Sequence, residues 1–538
     1  MPTTAPDLLD FADIQGNVLT AYGKQGFPKG CFVLLNIRDA AKGRALIEAL
    51  LPRVTSALRW PSAKAIPTGA IVPERPLVAL NLAFTFLGLL AVRTPVRTLR
   101  GLPDEFIDGM NARACILGDD TPADALQSWD PVWRSDPDPK TKVHLLITLN
   151  ARMDPTSGAA VPQMEQTVTW IKALCDASGG GVAVLRGHGR SGADDRQDLS
   201  AIIRPRPDGR LAPLPIEHFG FTDGVGDPVF AGQYPAQAQA VRVIGNGALT
   251  GQGEWRPLAT GEFLLGYPDE AQEIAGAAMP LPFSRNGTFF AYRKLQENVV
   301  AFRTYIAAST AKFGAVFAID DPTAARETLL AKISGRWSDG VPISLAPNFA
   351  AWQAFDQRLA LEGDRPRTLS NFTYHDDPAG LKCPVTAHMR RANPRDGLDP
   401  LDGPGLKRAP SGSVLNNRRR ILRRGLPYGA AAPDATSEGE HGLVFMAACA
   451  SLTRQFEFVQ QQWMNYGLDF NAGNDTCPLV GTRGEGAKFV IAADPAAGHA
   501  PFILDKPPQF VETRGGAYFF TPSLTALRML AMGVIDPT

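Results

Sequence analysis

The stretch HFGFTDGVGDP, residues 218–228, sets one carboxylate, Asp223, among Gly220, Gly224 and Gly226, with Phe219 and Phe221 beside it. Asp-Gly is a common short turn signal, and Asp tolerates the backbone that such turns need. The stretch therefore reads as a bend. The sharper reading is that the glycines leave room for something flat and large beside the carboxylate.

A second candidate is His388, in CPVTAHMRRANPRD (383–396), followed by Arg390, Arg391 and Arg395. An imidazole serves either as an ordinary hydrogen-bonding side chain or as a metal ligand. Cationic neighbours keep it neutral, which suits ligation, and can hold the carboxylates of a cofactor. A solvated basic turn is the other reading. NNRRRILRRGLPYGA (416–430) is denser, with Arg418, Arg419, Arg420, Arg423 and Arg424. It reads either as a patch for an acidic partner or as a segment turning one arginine inward. An inward arginine needs an anion, and Asp223 is a candidate.

Other chemistries lack their residues. The seven histidines include no H-x-x-x-H or H-E-x-x-H pair, and there is no G-x-x-x-x-G-K-[ST] loop and no G-x-S-x-G elbow. The glycines of GGGVAV follow a helical pattern instead of opening one, so they fail as a dinucleotide fingerprint.

The elements that must position these residues alternate along the chain. KVHLLITLNA (142–151) reads as a strand. Met164, Val168, Ile171 and Cys175 recur at helical spacing before Gly179-Gly180-Gly181, and VAVLRGH (182–188) reads as the next strand. The pairing recurs at 287–295 and 296–309, at 442–450 and 452–466, and at 515–522 and 523–533. This predicts an α+β chain of two domains, 1–212 and 213–538, each an antiparallel sheet covered by helices. PRPDGRLAPLP (205–215) is the expected linker, and 393–413 and 428–442 are expected loops bordering the candidate site.

The chain has 538 residues, and its 54 Lys+Arg balance 54 Asp+Glu. A nucleic-acid surface would need a basic excess, so no nucleic-acid partner is expected. Six scattered cysteines without C-x-x-C read as reduced thiols. The N-terminal stretch shows no signal-peptide pattern, and the most apolar run, 77–92, is shorter than a bilayer span. A cytoplasmic protein with no membrane partner is the expectation.

Together these stretches resemble the haem peroxidases called dye-decolourising peroxidases. GFTDG (220–224) is similar to the family's G-x-x-D-G motif. AHMRRANPR (387–395) resembles the segment of its axial histidine, RRILRRGLPYG (419–429) that of its distal arginine, and 442–465 the strand and helix that follow. DIQGNVL (13–19) and ALNLAFTFLGL (79–89) extend the likeness to the first half. The resemblance implies two ferredoxin-like domains, with haem b (iron protoporphyrin IX) held in the second. It implies His388 as the iron ligand, Asp223 as proton shuttle and Arg423 stabilising O–O cleavage, with Arg424 the candidate if the register slips by one. Hydrogen peroxide would be the oxidant, and phenolic or dye-like molecules the electron donors. An aspartate shuttle implies activity that falls toward neutral pH.

Further roles follow by the same resemblance. Gly220 and Gly224 would let the backbone approach the porphyrin, and Arg391 would hold the cofactor. Leu443 and Phe445, on one face of a strand, would line the distal pocket, although alternating apolar residues are equally plain core. Where many members place a carboxylate against the axial histidine, this chain has Ser451, with Glu457 six residues on. That departure keeps open a haem-binding protein of weak peroxidase turnover. The asparagine that some members place two residues after the distal arginine is Gly425 here. Trp463, Tyr466 and Tyr428 are candidate surface relays for bulky donors.

Overall fold

The computed structural model describes the chain apart from residues 1–7, 61–73, 120–127, 135, 275–277, 358–364, 400, 403–406, 409–412, 431–435, 437–438, 485, 495–497 and 536–538. Parts of the expected loops 393–413 and 428–442 thus lie outside the described residues.

Nine strands form one antiparallel sheet. The first half supplies β1 (Lys29–Ile37), β2 (Val78–Phe84), β3 (Leu145–Ala151), β4 (Val182–Val184) and β5 (Gln197–Ser200). The second supplies β6 (Thr288–Glu297), β7 (Leu422–Tyr428), β8 (Gly442–Cys449) and β9 (Val511–Thr521). The spatial order is β7-β8-β6-β9-β2-β3-β1-β4, with β5 also paired to β1. Each half therefore repeats the order second-third-first-fourth, the ferredoxin-like arrangement. The halves meet where Phe520 of β9 pairs with Phe84 of β2. No described pairing closes the sheet into a barrel.

Helices follow the first and third strands of each half. They are α1 (Ala40–Leu50) after β1, α2 (Gln163–Ala177) after β3, and α3 (Val299–Val316) after β6; after β8 comes a π-helical run, Leu452–Glu457 and Val459–Met464. In α2 the predicted Met164, Val168, Ile171 and Cys175 are the buried residues. Asp39 caps α1 by accepting from the Lys42 N–H, a contact of the kind that typically contributes about 1 kcal/mol. Two more helices are α4 (Pro322–Ser334) and α5 (His388–Ala392), and α6 (Leu524–Met532) ends the fold.

The strands are apolar at both parities because both faces of the sheet are covered. Cys31, Val33 and Leu35 of β1 pack with Leu46 and Ile47 of α1, Ile171 of α2 and Leu527 of α6. Phe32 and Leu34, one residue out of phase, pack with Ile14, Val18, Trp129, Trp133 and Phe263 from irregular chain. Helices cover one face, as expected, and loops seal the other. At roughly 1.5–3 kcal/mol per buried large apolar side chain, this double cover holds the two halves as one sheet.

Local outcomes depart from the sequence expectations in three places. The expected linker at 205–215 folds as a hairpin, with Ile202–Pro205 against Leu211–Leu214 around the Pro-Asp-Gly turn. The strand at 182–188 stops at Val184. The helix at 452–466 is wound wider than α, and the Asn465 N–H reaches the Gln460 carbonyl. No helix among the described residues is long and apolar enough to cross a membrane.

Candidate active site

The 217–228 loop folds around a carboxylate that sequence reasoning missed. Glu217 accepts the N–H groups of Phe219 and Phe221, each at 2.7 Å, while its own N–H donates to the Phe221 carbonyl at 3.1 Å. This winds residues 217–221 into a tight turn and delivers Asp223 at its end. The Asp223 N–H is tied to the Pro215 carbonyl at 2.7 Å. Glu297, from the end of β6, accepts the His218 N–H at 3.1 Å. Burial pushes both acids up, Glu217 to about 7 with the Asp223 charge adding to the rise, and Glu297 well above its usual range with the Glu217 charge adding to it.

Arg423 on β7 meets this loop. Its Nη1 lies 3.3 Å from Asp223 Oδ1, and its Nη2 donates to the Val225 carbonyl at 2.9 Å. Arg424 points elsewhere: it holds the Asn17 and Val18 carbonyls and lies 3.5 Å from Asp227. Alternation along the strand separates the two arginines. Gly425 stands opposite Phe445, where a Cβ would lie 2.0 Å from the Val444 carbonyl oxygen. This backbone therefore leaves no space for an asparagine at that position. The other arginines of the run disperse: Arg418 reaches Asp269, Arg419 the Arg454 carbonyl, and Arg420 is buried. The run is not a single solvated basic face.

Asp223, Arg423, His388, Gly224, Leu443 and Phe445 all line one cavity of about 970 Å3. Leu443 and Phe445 sit on the opposite side of β8 from the buried Val444 and Met446. The first half contributes Asn17, Tyr22, Gly23 and Lys24 to the same wall.

Other expected residues stand elsewhere. Gly220 does not line the cavity, and a Cβ there would meet nothing within 4 Å; its glycine answers a backbone φ of +100°. At Gly224 the Cβ would meet the Lys24 side chain, 2.6 Å away. Arg391 does not line the cavity either. It is fully buried, and its guanidinium donates to the Thr386, Trp463, Tyr466 and Asp475 carbonyls, which makes it the brace beneath α5. Trp463 and Tyr428 are buried and only Tyr466 is exposed, at 41%.

Neither expected partner reaches His388. Ser451 accepts the Arg454 N–H as a helix cap, and Glu457 takes a bidentate contact from Arg113 and the Tyr518 hydroxyl. His388 Nδ1 instead lies 3.2 Å from Cys477 Sγ. Burial alone would push this thiol up, but the His388 imidazole and the Arg391 guanidinium hold it at about 6. With Nδ1 engaged, Nε2 is the nitrogen left for a metal. No group of three or more His, Cys, Asp or Glu that could hold a metal exists among the described residues. A metal on His388 must therefore arrive with most of its ligands, as iron does in a porphyrin.

Three further guanidiniums line the cavity, those of Arg336, Arg395 and Arg420, each about 5–6% exposed. They donate to the backbone carbonyls of Gly340 and Leu369, of Phe372, and of Gly247 and Asn246 respectively. None forms an ion pair with a described carboxylate, and Arg336 Nε is buried without a partner. Burial lowers them to about 10, 10 and 9. Buried cations without anions are costly, so this wall fits a ligand that carries carboxylates. The residues present fit a haem-type group that carries carboxylates: the three arginines would meet its anionic edge and His388 would offer Nε2.

Comparison with known proteins agrees. The profile described as the DyP dimeric alpha+beta barrel domain matches residues 13–191, and that of the Dyp-type peroxidase C-terminal domain matches 410–473. The multifunctional dye peroxidase DyP2 of Amycolatopsis sp. (strain ATCC 39116 / 75iv2) is 30% identical over 381 residues, 68% of this chain and 72% of that protein. The chain belongs to the dye-decolourising peroxidase family. Peroxidase 2 of Mycetinis scorodonius is 28% identical over 97% of this chain and 87% of its own length. The crystal structure of the dye-decolourising peroxidase of Auricularia auricula-judae superposes with a TM-score of 0.68 at 25% identity, covering 97% of this chain and all of that one. A dye-decolourising peroxidase in complex with 2,6-dimethoxyphenol superposes with a TM-score of 0.67, also at 25% identity, over 97% of this chain and all of that one. This dye-decolourising peroxidase is thus an enzyme of a haem-dependent family with an α+β fold.

Proposed function

We propose that the chain binds haem b through His388 Nε2 and reduces hydrogen peroxide at the expense of phenolic or dye-like donors. The observation that carries this reading is the contact of Arg423 with Asp223 on the wall of the cavity that His388 also lines. Arg336, Arg395 and Arg420 would hold the propionates, and Leu443 and Phe445 would pack on the ring. The division into 1–212 and 213–538 would leave the cofactor to the second part, with the first adding Lys24 and Asn17 to the wall.

Bound haem would supply the iron that takes two electrons' worth of oxidation from peroxide and returns it to donors in single-electron steps. The protein's part is proton and charge placement. Asp223 Oδ1 is committed to Arg423 and to the Gly224 N–H, which leaves Oδ2 to take a proton from peroxide and return it to the departing oxygen as water forms. The Arg423 guanidinium, fixed at its other end by the Val225 carbonyl, stabilises the negative charge that develops between the oxygens. Tyr466, exposed at the surface, is the relay available to donors too large to enter.

The test is an absorbance spectrum of the wild type and His388→Ala, each produced with haem available. The wild type should show a Soret band that the variant loses. A band of equal position and strength in His388→Ala would end the proposal.

A further inference from the structure

Cys477 is fully buried, and its position is fixed by hydrogen bonds on its own backbone. Its N–H donates to the Met464 carbonyl at 2.6 Å, and its carbonyl accepts from the Gly481 N–H at 3.1 Å and from Arg483 Nη1 at 2.9 Å. The side chain therefore cannot drift. His388 Nδ1 meets its sulfur at 3.2 Å. With Nε2 read as the metal-binding nitrogen, Nδ1 carries the ring proton and the Cys477 sulfur is its acceptor.

We propose that Cys477 is the positioning residue for the iron-ligating imidazole, with a sulfur acceptor in the place that a carboxylate takes in many relatives. This rests on the reading of His388 as the axial ligand. The sulfur sets the tautomer, holds the plane of the ring and draws Nδ1–H toward itself, which raises the electron-donating power of Nε2. Ser451 and Glu457 are committed to other partners, so neither is placed to substitute. The deeper support is shared. Arg391 braces Trp463, Tyr466 and Asp475 around the same turn, tying α5 to the segment that carries Cys477.

The experiment compares holoprotein of the wild type, Cys477→Ala, Cys477→Ser and Cys477→Asp. Its readouts are the one-electron reduction potential of the iron and the iron–imidazole stretching frequency of the ferrous form, and neither depends on turnover. Cys477→Ala should move the potential up and lower the stretch, while Cys477→Asp should return most of both. If the alanine variant fails to fold, the near-isosteric serine variant should shift both readouts in the same direction by less. Wild-type values in every variant that binds haem would overturn the proposal. Haem retained by His388→Ala would instead sink the axial-ligand reading beneath it, so the two failures are distinguishable.

Discussion

Two pairs of side chains serve the same cavity under opposite conditions. Asp223 and Arg423 are open, with 49% and 31% of their side chains exposed. His388 rests on Cys477, which is sealed. The open pair is held by a short loop wound on Glu217 and by one strand. The sealed pair is held by long-range contacts from Arg391, Arg483 and the 464–481 turn. A group that trades protons with substrate and solvent gains from exposure. A group that must keep one orientation gains from burial, because each lost hydrogen bond there costs the full desolvation of its partner. Chemistry is placed locally and orientation is placed globally.

The largest expected effect separates two adjacent arginines. Arg423→Leu should slow peroxide consumption by about 10²–10³, the usual loss on removing one preorganised charge, with little change in melting temperature. Arg424→Leu should do the reverse. It strands the buried Asn17 and Val18 carbonyls, at about 1–3 kcal/mol for each buried group left unpaired, and leaves Asp227 with Lys24, while keeping the Asp223–Arg423 contact in place. Stopped-flow peroxide decay and thermal unfolding of both variants check this. Equal kinetic losses would erase the distinction between the reacting arginine and the structural one.

Next in size is the pH response of the loop beneath Asp223. Glu217 is raised to about 7 and Glu297 well above its usual range, so the folded protein binds protons that the unfolded chain releases. Their contribution to stability is full below about pH 4.5 and is lost as pH rises through their folded values, about 7 for Glu217. His218 and His188 run the other way. Burial holds them at about 4 and 3, so their contribution is full above about pH 6.5 and is lost as pH falls toward those values. Denaturant unfolding across pH 4–8 should show the two trends opposing each other. Glu297→Gln should flatten the alkaline loss and spare the acid one. An unchanged alkaline slope would mean that the acid pair carries no proton at the base of this loop.

The sheet was legible in the sequence because it is written in short-range signals, as in the 3.6-residue spacing of Met164, Val168, Ile171 and Cys175 that marked α2. The glycine-flanked Asp223 drew notice by itself, whereas Arg423 was singled out among five arginines by the family resemblance. The supports were not legible. Cys477 lies 89 residues from His388, and Arg336 comes from the chain just after α4. No spacing links them, and their roles follow only from packing. Arg391 was misread for the same reason: an arginine beside a candidate ligand histidine looks like a cofactor clamp until four backbone carbonyls claim it. The π-helical turn after Ser451 also escaped notice, because its periodicity differs from α by too little over one segment to show in residue spacing.

The smallest effect divides the two glycines that flank Asp223. Gly220 has φ +100° and Gly224 φ +80°, so an alanine at either position costs about 1–2 kcal/mol of backbone strain. Beyond that they part. The space beside Gly220 is empty, so Gly220→Ala should lower stability and leave peroxide turnover unchanged. At Gly224 the new methyl must displace Lys24 from Asp227, 3.7 Å away, and both residues line the cavity beside Arg423. Gly224→Ala should therefore show the same stability loss together with a severalfold change in the peroxide rate. Identical kinetics in the two variants would mean that Lys24 shapes nothing in the reaction, and that the N-terminal half closes the cavity without tuning it.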